Sequence, residues 1–287
     1  MIGKKALAPL IIALIYQLSC AGVKPTQIDV LKMPHDFVNI KEVIPSIILD
    51  IKYYTPHNFV GERIDGYNAP KCFLTKQAAL ALKNVQEELR KYSLSLKLYD
   101  CYRPQRAVNK FIDWAEDPDD TKMRREFYPD IDKNNLFSQD YIAKKSGHSR
   151  GSTVDVTIVS IPTPPEEKYI AGQDLRPCYW PKEKRFKDNG IDMGTGFDCF
   201  SEFSHTENNQ INIQQRVNRI ALKAIMEKCG FINVESEWWH YTLKDEPYPN
   251  TYFDFVIEQN KSLCHSCILQ SVITKPPPTS SPYQGEE

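Results

Sequence analysis

The stretch SGHSRGSTVDVTI, Ser146–Ile158, carries a histidine and an aspartate on either side of Gly151, and far downstream ESEWWHYTL, Glu235–Leu243, carries Glu237 and His240. Imidazole nitrogen and carboxylate oxygen are donors that zinc takes, and a catalytic zinc uses three protein ligands with water in the fourth position. His148, Asp155 and His240 supply such a set. Zinc lowers the pKa of water in that position to about 7, and Glu237, three residues before His240, is placed to act as base and then as acid. Spacing alone leaves a second reading open, in which each histidine is an ordinary core or surface residue and Asp155 a turn residue. His35, His57, His205 and His265 stand in no comparable arrangement and read as solvated or hydrogen-bonded loop positions.

The elements that must position these groups can be read from periodicity. IPSIILDIKYY, Ile44–Tyr54, is rich in β-branched and aromatic residues and predicts a strand. In LTKQAALALKNVQEELRKY, Ala78, Leu82, Val85 and Leu89 recur at helical spacing behind Thr75 as N-cap. Leu94–Tyr102 alternates as a strand, Pro104 breaks it, and QRAVNKFIDWA predicts a second helix. GSTVDVTIV predicts another strand, NIQQRVNRIALKAIMEKCG an amphipathic helix stopped at Gly230, and FINVESEWWHYTL a return to strand. Residues 162–192 are rich in proline and charge and predict a long surface excursion, a kind of loop that is usually functional or disordered. The order of elements predicts an α+β fold, a small and mostly antiparallel sheet flanked by helices, with the zinc site on the sheet.

The 287 residues suffice for one large domain or two small ones. A net charge of -1 gives no electrostatic reason to expect nucleic acid. MIGKKALAPLIIALIYQLSCAG, with Lys4 and Lys5, an apolar run and then small residues, has the layout of a secretory signal peptide. The expected organisation is a signal over 1–21, a catalytic domain over 27–260 and a disordered tail over 261–287, too proline-rich and polar to pack. No later stretch is apolar enough to span a bilayer, so none is expected in the mature chain. An exported, periplasmic protein is expected. Cys20 as a lipidated anchor is the alternative, ranked second because Gln17 stands where a lipobox usually has leucine. Export makes disulfides plausible. Seven cysteines follow Cys20, an odd number, and Cys178 with Cys199 is one candidate pair, competing with Cys72–Cys101 and Cys264–Cys267.

IKYYTPHNFVGERIDGY, YDCYRPQRAV, SGHSRGSTVDVT and EWWHYTLKDEPYPNTYFDF together resemble the D-alanyl-D-alanine dipeptidases of the VanX type, collinearly from about Asp50 to Phe255. The resemblance implies one zinc per chain held by His148, Asp155 and His240, with Glu237 as the base. It implies that Arg103 steadies the scissile carbonyl, a fixed cation aimed at developing negative charge. Asp198, in MGTGFDC, matches the carboxylate that binds the substrate's free ammonium, and Tyr53, Asp100 and Ser146 match other residues near the site. The implied substrate is a small D,D-dipeptide, in peptidoglycan turnover or scavenging. Rivals are a D,D-carboxypeptidase or endopeptidase of the same zinc group and a non-catalytic binder of cell-wall peptides. The signal-like N-terminus, the excursion before Met193, and Cys101 and Cys199 beside two site motifs depart from that family's pattern. Oligomeric state is not legible.

Overall fold

The computed structural model describes residues 28–139 and 141–259. The signal-like segment with Cys20, the tail, His265, Cys264 and Cys267 lie outside the described residues. Strands β1 (Phe37–Asn39) and β3 (Phe73–Thr75) form a two-stranded antiparallel ribbon. The main sheet takes β2 (Ile48–Leu49), β4 (Leu94–Asp100), β5 (Thr153–Ser160), β6 (Phe231–Asn233) and β7 (His240–Leu243) in the order β2-β4-β5-β7-β6. Only β2 against β4 is parallel; β4–β5, β5–β7 and β6–β7 are antiparallel. The fold is therefore α+β around a mixed sheet. Its larger helices are α2 (Lys76–Arg90), α3 (Gln105–Glu116) and α5 (Ile213–Lys228), with short turns of helix α1 (Ile40–Val43) and α4 (Arg124–Phe127).

Alternation along the strands gives the sheet two unlike faces. Leu96, Leu98, Val154, Val156, Ile158 and Tyr241 point one way and are fully buried with the apolar faces of α2 and α5. The register pairs Asp155 with His240, Thr157 with Lys97 and Thr153 with Thr242 on the opposite face. That second face is polar, and it holds Asp155 and His240 side by side. Thr75 caps α2 through its side chain, as its position predicts, and Asn212 with Gln215 forms a capping box that opens α5.

Two strand expectations need correction. Ile44–Tyr54 is not one strand: only Ile48–Leu49 pairs, and Lys52–Tyr54 winds into a 3-10 turn. Pro45 and the edge position keep the strand short, while the turn carries Tyr53 inward against Phe59, Tyr67 and Phe111. FINVESEWWHYTL is likewise two strands with a turn between them. Asn233 Nδ2 donates to the carbonyls of Glu237 and His240, both at 3.0 Å, and holds the reversal.

The excursion is ordered against the sheet. Its Glu166 and Asp188 reach back to Lys97 Nζ, at 3.3 and 2.9 Å, and Asp50 completes the cluster at 3.3 Å. Lys97 is fully buried on β4, so these carboxylates compensate a cation that would otherwise be very costly there. Disulfides join Cys178 to Cys199 and Cys72 to Cys101, and Cys229 has no disulfide partner among the described residues. His57, expected as a solvated or hydrogen-bonded loop position, is a hydrogen-bonded loop residue, buried, stacked on Tyr169 and 2.9 Å from Glu126.

Candidate active site

His148 enters from a 3-10 turn over Gly147–Arg150, which Ser146 caps by accepting from the His148 N–H at 3.3 Å. Gly151 ends that turn at φ +81°, and a Cβ there would lie 2.1 Å from Phe37 Cζ. Glycine is thus demanded both by the left-handed backbone and by the close ring. The chain then enters β5, where Asp155 stands beside His240 of β7. His148 Nε2 is 3.3 Å from Asp155 Oδ2, and His240 Nδ1 is 3.2 Å from Asp155 Oδ1. The two imidazole nitrogens are 3.3 Å apart.

These three residues fit a metal ion. One donor atom from each lies within 4.8 Å of the others. Asp155 Oδ1 is buried without a hydrogen-bond partner, despite His240 beside it, so a lone pair is left facing the gap between the three donors. The other nitrogen of His148, Nδ1, is 2.7 Å from the Cys101 carbonyl. A carbonyl only accepts, so Nδ1 carries the proton and Nε2 presents its lone pair to the cluster, the arrangement that fixes metal-ligand histidines. Burial pulls the His148 pKa down, against the pull of Asp155 beside it. Burial opposes ionisation of Asp155 too, but His148 and His240 outweigh it and hold its carboxyl below the usual range. Asp50, Glu166 and Asp188 also lie close enough together for a cation, but Lys52 and Lys97 already occupy that role.

Glu237 stands on the turn before β7, its Oε2 3.4 Å from His240 Nδ1. Burial pushes its carboxyl up to about 7, close to the value that suits a group which must take and return a proton near neutrality. Arg103 follows β4. Its Nε donates to Asp100 Oδ2 at 2.9 Å, and its terminal nitrogen is 3.6 Å from Asp155 Oδ2. Its guanidinium lies over the rings of Tyr53 and Phe111, at 4.8 and 5.1 Å. Asp100 is itself fixed by the Tyr67 hydroxyl at 2.7 Å.

Asp198 is buried with a backbone φ of 54°. It accepts from the Tyr53 hydroxyl at 2.9 Å. Burial, with the negative Asp155 nearby, pushes its carboxyl well above the usual range. A desolvated carboxylate of this kind gains strongly from a cation brought to it.

A cleft of roughly 200 Å³, open to solvent, joins these groups: Tyr53, Arg103, Ser146, Asp155, Asp198, Glu237 and His240 all line it. Every site residue expected from the sequence is therefore in or directly behind the cleft; His148 and Asp100 form its backing. The aromatic wall of Phe59, Phe111, Phe200 and Trp239 was not legible beforehand, because aromatic residues in apolar runs read as core. Nor was Tyr67, although it lies within the quoted GERIDGY run. The Cys101 carbonyl left no side-chain signal at all.

The chain matches the peptidase M15 family model described as D-ala-D-ala dipeptidase over residues 33–162 and 185–258, and it belongs to that family. The gap in the match falls inside the proline-rich excursion. The chain is 38% identical over 225 residues to the D-alanyl-D-alanine dipeptidase of Streptomyces coelicolor, which covers 78% of this chain and 100% of that protein. It is 37% identical over 222 residues to the enzyme of the same name from Enterococcus faecium, covering 77% and 98%. To that of Escherichia coli it is 28% identical over 208 residues, covering 72% and 84%.

Proposed function

We propose that the chain hydrolyses D-alanyl-D-alanine and similar D,D-dipeptides, with one zinc ion held by His148, Asp155 and His240. The observation that carries this reading is the convergence on one cleft of a three-donor set, a carboxylate tuned near neutrality and a buried, cation-seeking carboxylate. Family membership and the full-length relatives point to the same substrate.

Zinc, when bound, supplies a Lewis acid that polarises the scissile carbonyl and acidifies water. The remaining work falls to the chain's own groups. Asp198, oriented by Tyr53, receives the free ammonium and fixes the amine end of the dipeptide. Glu237 takes the proton from the attacking water and returns it to the departing amine. Arg103, held in place by Asp100 and by the two rings beneath it, faces the carbonyl oxygen as negative charge develops there. Ser146 holds the turn that carries His148 and presents its hydroxyl to the cleft.

The catalytic domain spans 27–260 in this reading, preceded by an export signal over 1–21 and followed by a polar tail. Two disulfides among the described residues suit an oxidising compartment such as the periplasm; anchoring through Cys20 is the alternative. Among the described residues no helix is long and apolar enough to cross a membrane. The role that fits such a location is turnover of peptidoglycan peptides or scavenging of D-amino-acid dipeptides. The test is a panel of D,D-, L,D- and L,L-dipeptides and N-blocked tripeptides given to zinc-reconstituted protein. Turnover confined to free D,D-dipeptides is expected. Preference for the blocked tripeptide would move the assignment to a carboxypeptidase.

A further inference from the structure

The Cys101 carbonyl that fixes His148 stands where the sheet does least to fix it. The β4–β5 ladder runs regularly from Leu94 to Leu98, then its register shifts before the final pair, Asp100 with Asp155. Cys101 lies beyond that last pair. Three site contacts nevertheless depend on the short run from Asp100 to Arg103: Asp100 to Arg103 Nε at 2.9 Å, Cys101 O to His148 Nδ1 at 2.7 Å, and the Arg103 N–H to the His148 carbonyl at 3.3 Å. The covalent restraint on this run is the bond from Cys101 to Cys72, the residue just before β3. Both sulfur-bearing residues are buried, at 0% and 2% exposure, so the link is part of the packed interior.

We propose that the Cys72–Cys101 disulfide is a positioning element for the metal site, holding the Cys101 carbonyl against His148 Nδ1 so that Nε2 faces the ion. This rests on the zinc reading above. A competing acceptor shows why position matters: Asp100 Oδ2 is 3.6 Å from the same Nδ1. If the carbonyl withdraws, the ring can turn towards Asp100, and Nε2 turns away from Asp155 and His240. Cys101 acts here through His148 and touches no reacting atom. The second disulfide, Cys178–Cys199, closes a comparable span of 21 residues against 29 but touches none of the three donors, which makes it the natural control.

The experiment compares zinc affinity in wild type, Cys72→Ala/Cys101→Ala and Cys178→Ala/Cys199→Ala, each full-length, folded by near-UV circular dichroism, and titrated against a chelating dye. Cys72→Val/Cys101→Ala refills more of the buried volume and serves if the first pair does not fold. We expect zinc affinity to fall roughly 10- to 100-fold when the Cys72–Cys101 link is lost, the range typical of outer partners of a ligand, and to change less than 3-fold in the control. Long-range proton–nitrogen correlation spectra of the zinc-free proteins should show His148 protonated at Nδ1 in wild type and a mixture of tautomers without the link. Unchanged affinity and tautomer in either folded variant, or equal weakening in the control, overturns the proposal. Failure of wild type itself to bind one equivalent of zinc would instead overturn the zinc reading.

Discussion

Replacing Asp198 with asparagine should collapse the enzyme's preference for a free amine. Asparagine is the informative change because residue 198 has a φ of 54°, a region that Asn tolerates far better than Ala. The amide oxygen can still accept the Tyr53 hydroxyl that now bonds the carboxylate at 2.9 Å. Shape and backbone are therefore kept, and the charge alone is lost. Asp198 is buried, 5% exposed, so in the proposed reading the ammonium of a bound dipeptide would meet it with little water between. Losing one partner of a buried charge pair costs about 2–5 kcal/mol. The retained amide dipole places Asn at the low end, about 2–3 kcal/mol, or roughly 30- to 150-fold in kcat/KM. N-acetyl-D-Ala-D-Ala gains nothing from the charge and leaves it desolvated, so its kcat/KM should hold or rise. The wild-type ratio between free and acetylated substrate, expected at about 100-fold or more, should shrink to within about 10-fold. The assay is release of D-alanine from both substrates under kcat/KM conditions. A wild type that cleaves both equally, or an Asn variant that keeps the full preference, would exclude Asp198 as the ammonium's partner.

Glu237→Ala should retain one equivalent of zinc yet lose about 100-fold or more in kcat, whereas His240→Ala should lose both; metal analysis with turnover separates them. Arg103→Lys keeps the charge but not the planar fork bonded to Asp100, so kcat should fall more than KM rises; steady-state kinetics decide this, and a change confined to KM would make Arg103 a plain substrate anchor. Lys97→Met leaves Asp50, Glu166 and Asp188 facing one another with only Lys52 to offset them, costing about 3–5 kcal/mol of stability in thermal melts, with zinc affinity held. The Asp188 carboxyl is depressed: burial opposes this, but Lys97 and Lys52 outweigh it. A depressed folded value means its stabilisation is full above the ordinary aspartate pKa of about 4 and fades as pH falls below that, so unfolding midpoints should drop on acidification and drop less in Asp188→Asn.

The proposed donors and base stand out only through the resemblance of the runs around them to a known family, since spacing alone leaves an ordinary core or turn reading of each residue open. The helices behind Thr75 and Asn212 were legible because cap and apolar spacing agree. What failed was pairing. Ile44–Tyr54 has strand composition throughout, but composition does not say that only Ile48 and Leu49 pair with β4 before the chain winds into the turn over Lys52–Tyr54. The excursion reads from sequence as a long surface loop, and its tie to the sheet is hidden because Glu166 and Asp188 look like ordinary surface charges until Lys97 is seen buried beneath them. The Cys101 carbonyl could not have been found, since every residue has one. The Cys178–Cys199 pairing expected from the excursion is present, and so is its competitor Cys72–Cys101.

In the proposed mechanism His148, Asp155 and His240 hold one catalytic zinc beside Glu237. The most direct measurement is titration of zinc into chelator-stripped protein while following D-Ala-D-Ala hydrolysis. Activity should rise linearly and saturate at one equivalent per chain, with L-Ala-L-Ala untouched and His148→Ala inert at every point. Full activity in the stripped protein, or saturation unaffected by loss of His148, would contradict it.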